Sequence, residues 1–180
     1  MLRVAVSLGL VLFALPTIAG AQARLVAPVR PESGHLALVL GTFASGEPGS
    51  LSFVPTGRAE LAFNVIGPVA AGGYFETQLG TSERVAAGGG LLFTLRPDVP
   101  TFPVQPHFEL SGGRLQMPGA HQATLDVWTV SLGGGLGVPL LADVAIEARV
   151  RHTWLLGLPH SEPTAATGWT IALAIVVDLR

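Results

Sequence analysis

Eight successive short segments in which apolar and polar residues alternate with period two constrain this chain more than any other feature. From Asp143 to Trp154, Val144, Ile146, Ala148, Val150, His152 and Trp154 fall on one side, and Ala145, Glu147, Arg149, Arg151 and Thr153 on the other. Successive side chains of a strand point to opposite faces, so this is strand patterning, and a slip of one residue would exchange the two sets. The closing segment sets Trp169, Ile171, Leu173, Ile175, Val177 and Leu179 against Thr170, Ala172, Ala174, Val176 and Asp178. Leu125 to Val138 sets Trp128, Val130, Leu132, Leu136 and Val138 against Thr129, Ser131, Gly133, Gly135 and Gly137. Val104 to Gly112 places Phe108 and Leu110 opposite His107, Glu109 and Ser111.

Upstream, Arg58 to Ile66 sets Ala59, Leu61, Phe63 and Val65 against Arg58, Glu60, Ala62 and Asn64. Val69 to Leu79 sets Phe75 and Leu79 against Tyr74, Glu76 and Gln78, and Arg84 to Arg96 sets Val85, Leu91, Phe93 and Leu95 against Arg84, Gly88, Gly90, Thr94 and Arg96. The first strand, near His35 to Ala44, has the weakest register signal, because Leu36, Leu38 and Leu40 alternate only with Ala37 and Val39. Clusters of Gly, Pro, Ser and Asp separate the segments, and almost no helix is expected.

The connections alternate in length. Those around Gly46 to Thr56, Gly113 to Thr124 and Gly157 to Thr167 are long, while Gly67-Pro68, Pro97 to Pro103 and Pro139 to Ala142 are shorter, and Gly80 to Glu83 is a short exception in the long set. An even number of strands, each near the ~9 to 11 residues of a tilted spanning strand, predicts an all-β fold: an eight-stranded antiparallel up-and-down transmembrane barrel with long loops outside and short turns in the periplasm.

The first residues read as an export signal, with Arg3 as the basic n-region, Val4 to Leu15 as the apolar h-region, and Ala21-Gln22-Ala23 as a cleavage site after Pro16. The organisation expected is a signal peptide over 1–23, a short periplasmic segment over 24–34 and the barrel over 35–180. Beyond the signal the longest apolar run, Ile171 to Val177, is of strand length. The 49% hydrophobic content against 12% charged residues implies that something other than water faces much of the surface. A net charge of −2 gives no footprint for nucleic acid, and with no cysteine there is neither disulfide, thiolate site nor lipoprotein anchor.

Alternation alone leaves open whether the apolar face points inward, as in a soluble periplasmic barrel holding a lipid-like ligand, or outward to lipid. Trp128, Trp154 and Trp169 all fall on the apolar face at the end beside the long loops, the distribution of a membrane-interface girdle. Basic side chains on a lipid face cost ~2 to 4 kcal/mol each at the midplane, whereas a polar lumen lets opposite charges pair. The polar face is therefore assigned inward, with a lumen charge cluster of Glu60, Glu76, His107, Glu109, Glu147, Arg149 and Arg151. If the turn at Leu140 to Ala142 fixes register, Gly133 pairs with Arg149, Gly135 with Glu147 and Ser131 with Arg151, with Ala172 and Ala174 flanking from the closing strand.

The signal peptide, the strand Val130-Ser-Leu-Gly-Gly-Gly-Leu-Gly137, the segment Ala142 to Arg151 after its turn and the closing strand Trp169 to Leu179 resemble the small outer-membrane β-barrel family that includes the OmpA transmembrane domain and the OmpX-like proteins. The resemblance implies location in the outer membrane of a Gram-negative bacterium, with outer-membrane lipid or lipopolysaccharide and the barrel-assembly machinery as partners. Members commonly end on an aromatic residue, where this chain has Asp178-Leu179-Arg180.

Gly133 to Gly137 is no phosphate loop, since no Lys-Ser/Thr follows and its glycines alternate with apolar residues in a strand. The five histidines, at 35, 107, 121, 152 and 160, show no metal-ligand spacing on one strand face. Arg151-His152-Thr153-Trp154 resembles the His-bearing strand end of the outer-membrane lipid A deacylases, but the nucleophile position two residues after the His holds Trp154, and Thr153 points to the other face. The expectation is no enzyme, no catalytic residue, no cofactor and no metal. What remains is a lipid-embedded scaffold whose lumen is filled by side chains, too narrow for a general porin, with outer loops free to meet an unknown extracellular partner.

Overall fold

The computed structural model describes residues 34–45, 51–79, 85–97, 104–118, 124–157 and 167–179. The predicted export signal, its cleavage site, His121 and His160 lie outside the described residues. Eight strands run in chain order: β1 (Gly34–Ser45), β2 (Ser52–Ile66), β3 (Val69–Leu79), β4 (Val85–Leu95), β5 (Gln105–Pro118), β6 (Thr124–Leu141), β7 (Val144–Leu156) and β8 (Thr167–Leu179). Each pairs antiparallel with its sequence neighbours, and β8 returns to β1, from Gly34↔Leu179 to Ser45↔Gly168, closing the sheet into a barrel. Closure leaves no free strand edge, so the backbone N–H and C=O groups of the wall are satisfied without water.

Facing follows the period-two pattern. Leu36, Leu38, Leu40, Leu61, Phe63, Phe75, Leu91, Phe93, Phe108, Leu110, Leu132, Val150, Ile171 and Leu173 lie exposed on the outer surface. The weakly patterned β1 thereby acquires a definite register, its three leucines outward and His35, Ala37 and Val39 buried inward. The interior is two-sided. Ala37 and Val39 of β1 pack with Ala172, Ala174 and Val176 of β8 as an apolar wall, while most charged side chains come from β2 and β7 on either side of it and from β3 and β5 beyond. Small apolar residues on β1 and β8 leave room for long polar ones to cross the axis.

Three expectations about extent and register need correction. β2 begins at Ser52 and β5 runs on to Pro118, so much of the expected Gly113 to Thr124 loop, and part of the Gly46 to Thr56 loop, is strand. β5 stays paired with β6 as far as Pro118↔Thr124. Spacing in sequence hid this because Gly112, Gly113 and the charged Arg114 and Asp126 read as loop, whereas the ladder pairs backbone groups and accepts glycine and charge among its side chains. The β6–β7 turn falls at Ala142-Asp143, with a bulge between Pro139 and Leu141, one of two such irregularities among the described residues. The turn lies later than expected and the bulge takes back one residue, so the pairing becomes Gly133↔Arg151, Gly135↔Arg149, Gly137↔Glu147 and Ser131↔Thr153, two residues from the expected register. Because the shift is even, every residue keeps its face.

Candidate functional site

Each of the seven residues assigned to the lumen cluster turns inward, and a run of ion pairs of alternating sign joins them. Arg149 occupies the centre: its Nε donates to Glu147 Oε2 at 2.8 Å and its Nη1 to Glu60 Oε2 at 2.7 Å. Glu60 faces a second guanidinium, Arg58 Nε, also at 2.7 Å. Arg151 Nη2 donates to Glu76 Oε2 at 2.8 Å, and its Nη1 lies 3.8 Å from Glu109 Oε1. His107 sits between Glu109 and Glu147, at 3.6 and 3.5 Å. Toward the end of the barrel that carries the Gly67-Pro68 and Ala142-Asp143 turns, Arg96 Nη2 meets Glu147 at 3.0 Å and its Nη1 meets Asp178 at 3.8 Å.

Three residues of the network, Arg58, Arg96 and Asp178, were not in the expected cluster. Arg58 shares the inward face of β2 with Glu60, and the same i, i+2 spacing that marked Arg149 and Arg151 would have found it. Its guanidinium also lies over the Tyr74 ring, 3.9 Å from the centroid, which adds a cation–π contact to the ion pairs. Arg96 stands just beyond β4, on the polar face that alternation assigned to it, and only the closed barrel brings it to β7 and β8.

The wall beside these side chains is shaped for them. A Cβ on Gly135 would stand 3.1 Å from both Arg149 Cγ and His107 Cε1, and one on Gly137 would stand 3.1 Å from Glu147 Cγ. The Gly-rich face of β6 is thus the space into which β7's charged side chains fit. Cavities of about 10 Å³ remain among the lumen side chains, each room for about one water molecule.

Tyr74 fills the lumen above Gly113, where an added Cβ would collide with the Gly89 carbonyl and the Tyr74 hydroxyl. Gly113→Val is therefore expected to dislodge Tyr74 and with it the ring beneath Arg58, lowering stability by about 1 to 3 kcal/mol, the usual cost of overpacking. The urea midpoint of the reconstituted barrel measures it, and an unchanged midpoint would mean that the Tyr74–Gly113 contact yields freely.

At the opposite end from the two short turns, Trp128, Trp154 and Trp169 all point outward, as exposed side chains. His152 lies between two of them, its ring centroid 4.4 Å from that of Trp154 and 4.5 Å from that of Trp169. Thr153 turns into the lumen, where its hydroxyl is 2.9 Å from that of Ser131.

No protein-family model and no curated protein matches the sequence. Solved structures do. Neisserial surface protein A superposes with a TM-score of 0.62 at 10% identity, covering 82% of this chain and 97% of that one. The N-terminal β-barrel domain of Pseudomonas aeruginosa OprF superposes with a TM-score of 0.56 at 9% identity, covering 82% and 99%. The fold is that of the small outer-membrane barrels. At such identities the likeness is one of architecture, and it reaches nearly the full length of both solved barrels.

Proposed function

We propose that this chain is an outer-membrane protein that acts as a lipid-embedded scaffold, sealed through its centre by ion pairs and exposing its loops at the cell surface. The observation that carries the reading is the partition of the wall. Leucine, isoleucine, valine and phenylalanine cover the outside, while Arg58, Glu60, Glu109, Glu147, Arg149 and Arg151 are buried inside. A soluble barrel holding a lipid-like ligand needs the reverse arrangement, an apolar cavity within a polar shell. Cavities of about 10 Å³ among the charged side chains argue against diffusion of solutes along the axis.

The same geometry supports a scaffold rather than a lipid-modifying enzyme. His152 is flanked on its own face by Trp154 and Trp169, and the neighbouring hydroxyl, Thr153, is committed to Ser131 inside the lumen. Among the described residues a base so placed has no hydroxyl beside it on the outward face of its own strand to activate.

Cell fractionation tests the proposal. The protein is expected in the detergent-soluble outer-membrane fraction, to migrate faster on gels before boiling than after, and to give no steady conductance in a planar bilayer. Release by osmotic shock would overturn the membrane location. Stable open channels of the wild-type protein would overturn the sealed lumen.

A further inference from the structure

Among the described residues the outward face carries two charged side chains, Arg114 on β5 and Asp126 on β6, and both stand beside Trp128. Arg114 Nη2 donates to Asp126 Oδ2 at 2.7 Å, and its guanidinium carbon lies 5.5 Å from the centre of the Trp128 ring. The two charged side chains remain about half exposed, at 55% and 47%. Every other described arginine, at 58, 96, 149 and 151, is drawn into the lumen network. A guanidinium on the lipid-facing wall, level in the ladder with a girdle tryptophan, therefore stands apart from the rest of the charge.

Resting on the outer-membrane reading above, we propose that Arg114 with Trp128 forms a docking site for the phosphate of a phosphorylated outer-leaflet lipid. Tryptophan on the lipid face settles at headgroup depth, and Arg114 is the direct ladder partner of Trp128, so the guanidinium lies where headgroup phosphates lie. The fork has five N–H donors, and an exposed carboxylate contact is a weak competitor for them. Phosphate accepts two of these donors in parallel, in the planar geometry that guanidinium favours over ammonium. The cation–π approach to Trp128 and the contact to Asp126 hold the fork in place beforehand, which reduces the ordering cost of capture. On the other flank the ladder partner is Gly89, itself paired with the exposed Phe75, and the next pair toward the loops is Ala87 and Thr77. Gly89, Ala87 and Thr77 leave the wall immediately beside Arg114 low, with Phe75 beyond as an apolar border, open to the sugar or acyl portion of the same lipid.

Native mass spectrometry of the full-length barrel in a non-ionic detergent tests the site, with bisphosphorylated lipid A as the probe. Wild type is expected to retain lipid A, and Arg114→Gln to weaken retention about tenfold, the size expected for loss of one charge-assisted contact. Dephosphorylated lipid A should bind wild type as poorly as lipid A binds the variant, and inorganic phosphate at equal concentration should not displace the lipid. Equal retention by Arg114→Gln, or equal binding of the dephosphorylated lipid, would overturn the site. Displacement by inorganic phosphate would make it a site for the free anion instead and would also overturn it. Heat-modifiable migration, recorded for each protein, separates this from the underlying reading. A heat-modifiable variant that binds like wild type sinks the docking site alone, whereas a wild type that never shows the shift sinks the membrane barrel.

Discussion

Replacing Glu60 with alanine is expected to lower the stability of the reconstituted barrel by about 3 to 5 kcal/mol, because it strands charges that are buried and paired. Glu60 holds two guanidiniums at once, Arg58 and Arg149, each at 2.7 Å, and its side chain is wholly buried. It is also a link across the lumen, tying β2 to β7 on the far side of the ring. Without it the two arginines repel across the space the carboxylate vacated. Water entering that space softens the penalty, which favours the lower end of the range, and the same water opens a path along the axis. Conductance in a planar bilayer should therefore rise from the baseline as the urea midpoint falls. Glu60→Gln keeps the volume and removes the charge, so it should lose stability with little gain in conductance. Adding Arg149→Leu to Glu60→Ala should return less than Arg149's full contribution, since Glu147 then loses its closest partner. A Glu60→Ala barrel with unchanged midpoint and conductance would mean that the charges are hydrated independently and neither seal nor brace the lumen.

Facing was legible along almost all of the described strands, because a strand records it in every second residue and the two faces of this wall are chemically opposite. Glu147, Arg149 and Arg151 could be sent inward from sequence alone, and so could Glu60, Glu76, His107 and Glu109. Register was less legible. The later turn at Ala142-Asp143 and the bulge at Pro139–Leu141 together leave the alternation of β6 and β7 intact, so Gly135 faces Arg149 rather than Glu147 with no trace in the pattern. The extent of β5 and β6 was hidden for a different reason. Toward the loop end of the barrel the outer face is no longer uniformly apolar, and Arg114 and Asp126 read as loop while sitting in a paired hairpin. Partners across the lumen were not legible at all. That Arg149 meets Glu60, and Arg151 meets Glu76, depends on how far each strand is staggered around the closed ring, which no local spacing encodes.

Val150→Arg tests the other face of the same strand, and an expected loss of about 2 to 4 kcal/mol follows from its depth. Val150 points outward and is 47% exposed, four residues below Trp154 and six above Val144, which places it near the middle of the apolar band. Its ladder partners are Gly134 and Ile171, so the new side chain would have no carboxylate within reach on its own face. An arginine there lowers its cost by reaching toward the Trp154 level, and the low wall at Gly134 gives it room to bend, yet the stem is too short to bring the guanidinium fully into the headgroups. Ala148→Leu, two residues away on the same face, adds only apolar surface to an apolar surrounding and should leave the midpoint close to wild type. The contrast with the adjacent position is sharper still. Arginine is required at 149, where Glu60 and Glu147 receive it, and excluded at 150, although the two residues share a peptide bond. Equilibrium unfolding from liposomes, with the folded fraction read by heat-modifiable migration, measures all three variants on one scale. A Val150→Arg barrel as stable as wild type, alongside an Arg149→Leu barrel that is also unimpaired, would mean that the two faces do not meet lipid and lumen as assigned, since no other arrangement makes both positions indifferent to charge.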